Sequence, residues 1–156
     1  MACLLMVMWA VRALRRYLTR SSPVLWPHNS SGTLQMRGSA PDELSRQPQF
    51  QGNLIYGSSG TTIDVWVQTS IDGGTNWTDI ANFHWTTTGG RLLFNLSSAT
   101  PVTTQYTPTD GTLAANTAKD GVLSNMYRAK YTTTGTYAGN TNVPIDLMTD
   151  GLTASP

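Results

Sequence analysis

From Thr61 to Thr69 the side chains alternate with a period of two. Ile63, Val65 and Val67 fall on one side of the chain, and Asp64, Trp66 and Gln68 on the other. This pattern is the mark of an extended strand with one face on a core. A second alternation follows from Trp77 to Trp85, setting Trp77, Asp79, Ala81, Phe83 and Trp85 against Thr78, Ile80, Asn82 and His84. Two such segments in close succession predict a β-hairpin, and a hairpin needs further strands to bury its apolar face.

The connecting string Ser70-Ile71-Asp72-Gly73-Gly74-Thr75-Asn76-Trp77 has its own physical logic. An Asp side chain can accept backbone N–H groups two residues on and close a turn, while Gly73 and Gly74 permit positive φ. Trp77 can then fold over the turn. The spacing S-x-D-x-G-x-x-W resembles the Asp-box hairpin of sialidases and related β proteins, which is structural and contributes no catalytic group. The Thr usual before the Trp is here Asn76, with Thr75 one place early. A single copy excludes a multi-blade propeller.

Further strands are predicted at Asn53–Tyr56, Arg91–Leu96, Val102–Thr107, Asn125–Thr133 and Val143–Met148. Turn signals fall at Gly89-Gly90, Ser97-Ser98, Thr134-Gly135 and Gly139-Asn140. Pro101 and Pro144 suit strand beginnings or edge strands. Residues 108–121 form one long insertion. Short strands at this spacing predict an all-β, antiparallel sandwich or jelly-roll-like body over residues 53–149, with a tail at 150–156.

Charge divides the chain. Residues 1–41 hold Arg12, Arg15, Arg16, Arg20 and Arg37 and no acid (+5); the remainder holds five basic and nine acidic residues (−4). Charged residues make up 12% of the whole, about half the typical share. A polar, uncharged surface suits close protein contacts, since little charge must be desolvated on docking. The apolar run Met1–Leu14 falls short of the ~20 residues a membrane span needs, and its charge follows the run instead of preceding it, unlike a signal peptide.

Residues 1–20 therefore read as a basic, apolar arm, extended or helical. Three readings of it stay open: a helix docking on a partner subunit, a segment lying on an anionic surface, or an upstream-start artefact with Met36 or another internal Met as a plausible true start. Residues 21–52, interrupted by Pro23, Pro27, Pro41 and Pro48, read as a linker. Trp9 and Trp26 lie in or near this poorly patterned sequence. With Arg12, Arg15, Arg16 and Arg20, they are the candidate partner contacts.

Chemistry finds few candidates. Cys3 is the single cysteine, which excludes an intrachain disulfide and a Cys-based zinc site. His28 and His84 have no metal-ligand spacing. Asp72, Asp110, Asp120 and Asp150 each precede Gly, which is turn chemistry, and Asp64, Asp79 and Asp146 lie on strands. Residues 108–121 carry too few acids for an EF-hand. Phosphate loops, nucleophile elbows and Cys–His pairs are missing from the sequence. The sequence predicts no enzyme, no cofactor and no specific nucleic-acid partner.

Several strings together carry a resemblance: Asp64-Val-Trp-Val-Gln-Thr-Ser-Ile-Asp-Gly-Gly, Trp77-Thr-Asp-Ile-Ala-Asn-Phe, Thr107-Pro-Thr-Asp-Gly-Thr-Leu-Ala-Ala-Asn-Thr-Ala-Lys-Asp-Gly and Arg128-Ala-Lys-Tyr-Thr-Thr-Thr-Gly-Thr-Tyr-Ala-Gly. They resemble small β-sandwich structural proteins of tailed bacteriophages and prophages, over about residues 61–149. The resemblance implies a virion component. The first expectation is a decoration or cement protein on the major capsid lattice, as a homo-oligomer with a trimer favoured. A tail or head–tail connector part is the nearest variant. The alternative from another class is a virion-displayed carbohydrate- or receptor-binding module, with Trp66, Trp85, Tyr127 and Tyr131 as a stacking platform.

Overall fold

The structure is a computed structural model that describes residues 32–37 and 47–148. The candidate contacts Trp9, Arg12, Arg15, Arg16, Arg20 and Trp26 lie outside the described residues, as does the expected arm. The described residues are all-β and contain no helix, and therefore none long and apolar enough to cross a membrane.

Among the described residues nine strands run in chain order: β1 Gly32–Arg37, β2 Gln49–Leu54, β3 Ser58–Ser59, β4 Thr62–Thr69, β5 Thr78–Trp85, β6 Gly90–Asn95, β7 Met126–Thr134, β8 Tyr137–Ala138 and β9 Ile145–Met148. They pair antiparallel into a four-stranded sheet, β1-β7-β4-β5, a three-stranded sheet, β6-β2-β9, and a two-stranded ribbon, β3-β8.

One apolar cluster draws on both larger sheets. Ile63, Val65, Val67, Phe83, Trp85, Tyr127 and Ala129 come from the first, and Phe50, Leu54 and Ile145 from the second. Phe83 stands between the sheets, stacked on Trp85 at 5.6 Å and tilted against Phe94 of β6 at 4.9 Å. Aromatic pairs at such separations add about 0.5–1.5 kcal/mol beyond their burial.

The expected hairpin is present, with β4 and β5 joined through Ser70–Trp77. One feature departs from strict alternation. Val67 pairs with Ala81, whereas Gln68 pairs with Asp79, so Ile80 is an extra residue on β5. This β-bulge turns Asp79 off the core face, where period two puts it, and onto the outer face opposite Gln68. Ala81, Phe83 and Trp85 keep the core face, and Ile80 is also buried.

Two assignments change. Residues 21–52, read as linker, contain β1 and the start of β2, and β1 pairs along its length with β7. Pro48 lies directly before β2, so it bounds that strand without breaking it. Residues 102–107 are not a strand. Apolar β-formers do not make a strand without a neighbour to accept the ladder, and Val102 is exposed.

The insertion 108–121 is not a free loop. It crosses the outer face of β4 and β5 and then runs along the free edge of β5. Asn82 N–H donates to Thr117 O, Lys119 N–H donates to Ile80 O, and Ala81 bridges Ala118. The second face of β4 is thereby covered. Gln68 is fully buried and Trp66 is 9% exposed, although alternation alone would set both in solvent.

Candidate functional site

Two polar constellations lie beside the start of β5. The first is the turn formed by Ser70, Asp72, Gly73, Gly74 and Trp77. Asp72 Oδ1 accepts the Asn76 N–H at 2.8 Å and the Ser70 hydroxyl at 2.8 Å, and Asp72 Oδ2 accepts from Asn76 Nδ2 at 2.6 Å. Gly74 N–H donates to Ser70 Oγ at 2.8 Å, and the Trp77 indole N–H donates to Gly74 O at 3.0 Å. The backbone bond reaches four residues on, where the sequence suggested two. Gly73 and Gly74 take φ of 74° and 94°, which accounts for both glycines. Asn76, the departure from the usual Thr, supplies a side-chain bond of its own to Asp72. The Asn76 backbone and side-chain bonds hold the Asp72 carboxyl at about 2, below its ordinary 3.8.

The second constellation surrounds Asp79, which is fully buried. Its carboxyl oxygens accept three successive backbone N–H groups: Gly111 at 2.9 Å, Thr112 at 3.0 Å and Leu113 at 3.1 Å. Gln68 Nε2 adds a fourth donor at 2.6 Å, and Asp79 N–H donates to Thr109 O at 2.8 Å. Successive N–H groups converging on one acceptor make an anion nest, here filled by the protein's own side chain. Hydrogen bonds to charged groups are worth about 1.5–3 kcal/mol each. Leu113 O in turn accepts the Trp66 indole N–H at 3.0 Å and Asn82 Nδ2 at 3.2 Å.

A polar bridge joins the two. Arg128 Nε donates to Gln68 Oε1 at 2.5 Å, its Nη2 meets Asp110 Oδ1 at 3.2 Å, and its guanidinium lies 4.4 Å from the Trp77 ring centroid. Lys130 Nζ reaches both Asp110 O and Asp110 Oδ1 at 2.9 Å. The bond from Gln68, and then Lys130, lowers the Asp110 carboxyl from its ordinary range. Its side chain is 57% exposed, so solvent screens these ion pairs and they contribute little to stability.

His84 sits across from Asp64 in the β4–β5 register, with Nδ1 2.8 Å from Asp64 Oδ1, and its N–H donates to Asn116 Oδ1 at 3.0 Å. Asp120 accepts the Ser97 N–H at 2.8 Å, and Asp146 accepts from Gln51 Nε2 at 3.3 Å. Each of the six aspartates among the described residues is thus engaged by a scaffold group. Among the described residues no group of three or more His, Cys, Asp or Glu could hold a metal.

The stacking platform does not form. Trp66, Trp85 and Tyr127 are buried and Tyr131 is half-buried, while the Trp85 indole N–H is spent on Gly90 O at 3.0 Å. Burial pushes the Tyr127 phenol up to about 12. A cleft of about 390 Å³ does open beside the Asp72 turn, lined in part by Ile71, Val102 and Tyr106. Lys119 already sits 4.8 Å over the Tyr106 ring.

Sequence reasoning identified the Asp72 turn and missed Asp79 as its more deeply embedded counterpart. A bulge shows no residue signature in the alternation, so the side on which Asp79 lies could not be read. No protein-family model, curated protein or solved structure matches the chain.

Proposed function

We propose that the chain is a non-enzymatic structural component of a tailed-phage particle, with decoration of the major capsid lattice as the first reading. The observation that carries this is the engagement of all six described aspartates. Asp64, Asp72, Asp79, Asp110, Asp120 and Asp146 each accept a bond that closes a turn, pins a loop or pairs strands. A general acid or base needs a group within reach of a substrate proton, and acids fixed in this way serve the scaffold. The resemblance of residues 61–149 to phage β-sandwich proteins points the same way. We also propose the sandwich arrangement, which the core shared by the two larger sheets supports. The extended or helical arm over residues 1–20 is part of the same proposal and is supported by the charge asymmetry of the sequence.

The test is addition of purified protein to empty capsids. The reading expects saturation at a copy number set by the lattice. No binding to capsids, with recovery alongside purified tails, overturns decoration in favour of a tail or connector role.

A further inference from the structure

The free edges of the two larger sheets are treated differently. The outer edge of β5 is occupied by residues 117–119. β6 ends the three-stranded sheet and pairs only with β2 among the described residues. The direction of its backbone groups follows from the register. Leu96 N–H donates to Pro48 O at 3.0 Å, and residue pairs alternate in an antiparallel ladder. Phe94 and Leu92 therefore turn their N–H and C=O toward β2, while Arg91, Leu93 and Asn95 turn theirs away. Ser97, next in this series, has both outward groups capped, its N–H by Asp120 Oδ1 and its C=O by Gly121 N–H. The protection stops there.

We propose that β6 is a self-pairing edge, joining two copies of this chain about a two-fold axis at Leu93. Antiparallel pairing of β6 with its copy requires outward-facing residues opposite one another. The register centred on Leu93 satisfies this along the whole strand. It sets Leu93 against the partner's Leu93, covering an apolar side chain that is 61% exposed. On the core side it sets Leu92 against the partner's Phe94, so that two half-buried apolar side chains at the rim of the core gain a neighbour. Arg91 falls opposite the partner's Asn95. The two Arg91 positions stand four residues apart along the strand, roughly 13 Å, beyond the ~8 Å screening length of physiological salt. No like charges oppose each other. Of the devices that blunt an edge, β6 carries one charge, Arg91, near its start, and has no Pro, no Lys and no bulge. β9, at the other end of the same sheet, is four residues long and preceded by Pro144. The contact is isologous, as a two-fold requires, and it differs from the three-fold association expected from the sequence.

Sedimentation equilibrium of the full chain tests it, together with cysteine cross-linking in a Cys3→Ser background. The mass should rise with concentration toward twice that of one chain. Leu93→Lys should hold the protein monomeric with its circular dichroism unchanged, since Leu93 faces away from the core. Leu93→Cys should oxidise to a disulfide dimer, because hydrogen-bonded residues across an antiparallel pair lie about 5.5 Å apart, within disulfide reach. Asn95→Cys, whose two copies would stand roughly 13 Å apart, should not. A monomer at all concentrations, a three-fold mass, assembly indifferent to Leu93→Lys, or equal cross-linking at positions 93 and 95 would each overturn the proposal.

Discussion

Asp72 and Asp79 belong to the same hairpin and do opposite kinds of work. Asp72 is exposed, and every bond it makes is to a residue within four positions of it. Asp79 is buried, and its backbone donors lie 32 to 34 positions away. The first aspartate shapes a turn that its own sequence already favours. The second ties a distant segment to the face of a sheet. A local contact leaves a motif behind, because spacing fixes its geometry, whereas a long-range contact leaves none. The more recognisable aspartate is the one with less to lose.

Substitution sharpens this contrast. Asp79→Ala strands three backbone N–H groups in a buried site and leaves the Gln68 amide with only its bond to Asp110, and should cost about 3–5 kcal/mol. Urea unfolding measures it. Limited proteolysis should then cut within residues 109–113 under conditions where the parent protein resists. A loss under 1 kcal/mol would mean that the nest does not hold the loop.

A smaller change on the same segment is Trp66→Phe, which removes the indole donor to Leu113 O while Asn82 still satisfies that carbonyl. The expected loss is about 1 kcal/mol by denaturant midpoint. A loss as large as that of Asp79→Ala would shift the anchor from the carboxyl group to the indole.

Asp72→Ala should produce the smallest effect, a drop in Tm that depends on pH. With its folded-state value near 2 against an ordinary 3.8, ionised Asp72 contributes stability fully present above 3.8, and that contribution is lost as pH falls through about 2. Melting curves of the parent and the variant should therefore differ at neutral pH and converge below pH 2. A difference that persists unchanged into strong acid would show that the turn is held by something other than the charged carboxyl.

Much of the scaffold was legible. The β4–β5 hairpin, its turn residues and most later strands follow from alternation and from Gly, Asp and Asn placement. Other parts were not. β1 lies among prolines that suggest a linker, and its partner β7 is about ninety residues away in sequence. Residues 102–107 have strand-forming side chains and no strand to join. Residues 108–121 read as a long insertion, whereas Leu113 is buried against the sheet and the backbone of residues 117–119 bonds to the edge of β5. In each case tertiary pairing decides between states that composition leaves open.

The covering segment also has a kinetic consequence. The hairpin can form early, since its ends are close in sequence. Residues 109–119 can reach it only after a long loop closes, and Arg128 must then return to Gln68 across 60 positions. Contacts at such separations slow folding, because chain entropy is lost before the contacts that offset it are made. In that interval Trp66 and the edge of β5 are bare, and a nascent chain is open to pairing with its neighbours. The rate at which this one segment arrives thus sets how long the protein stays vulnerable to misassembly.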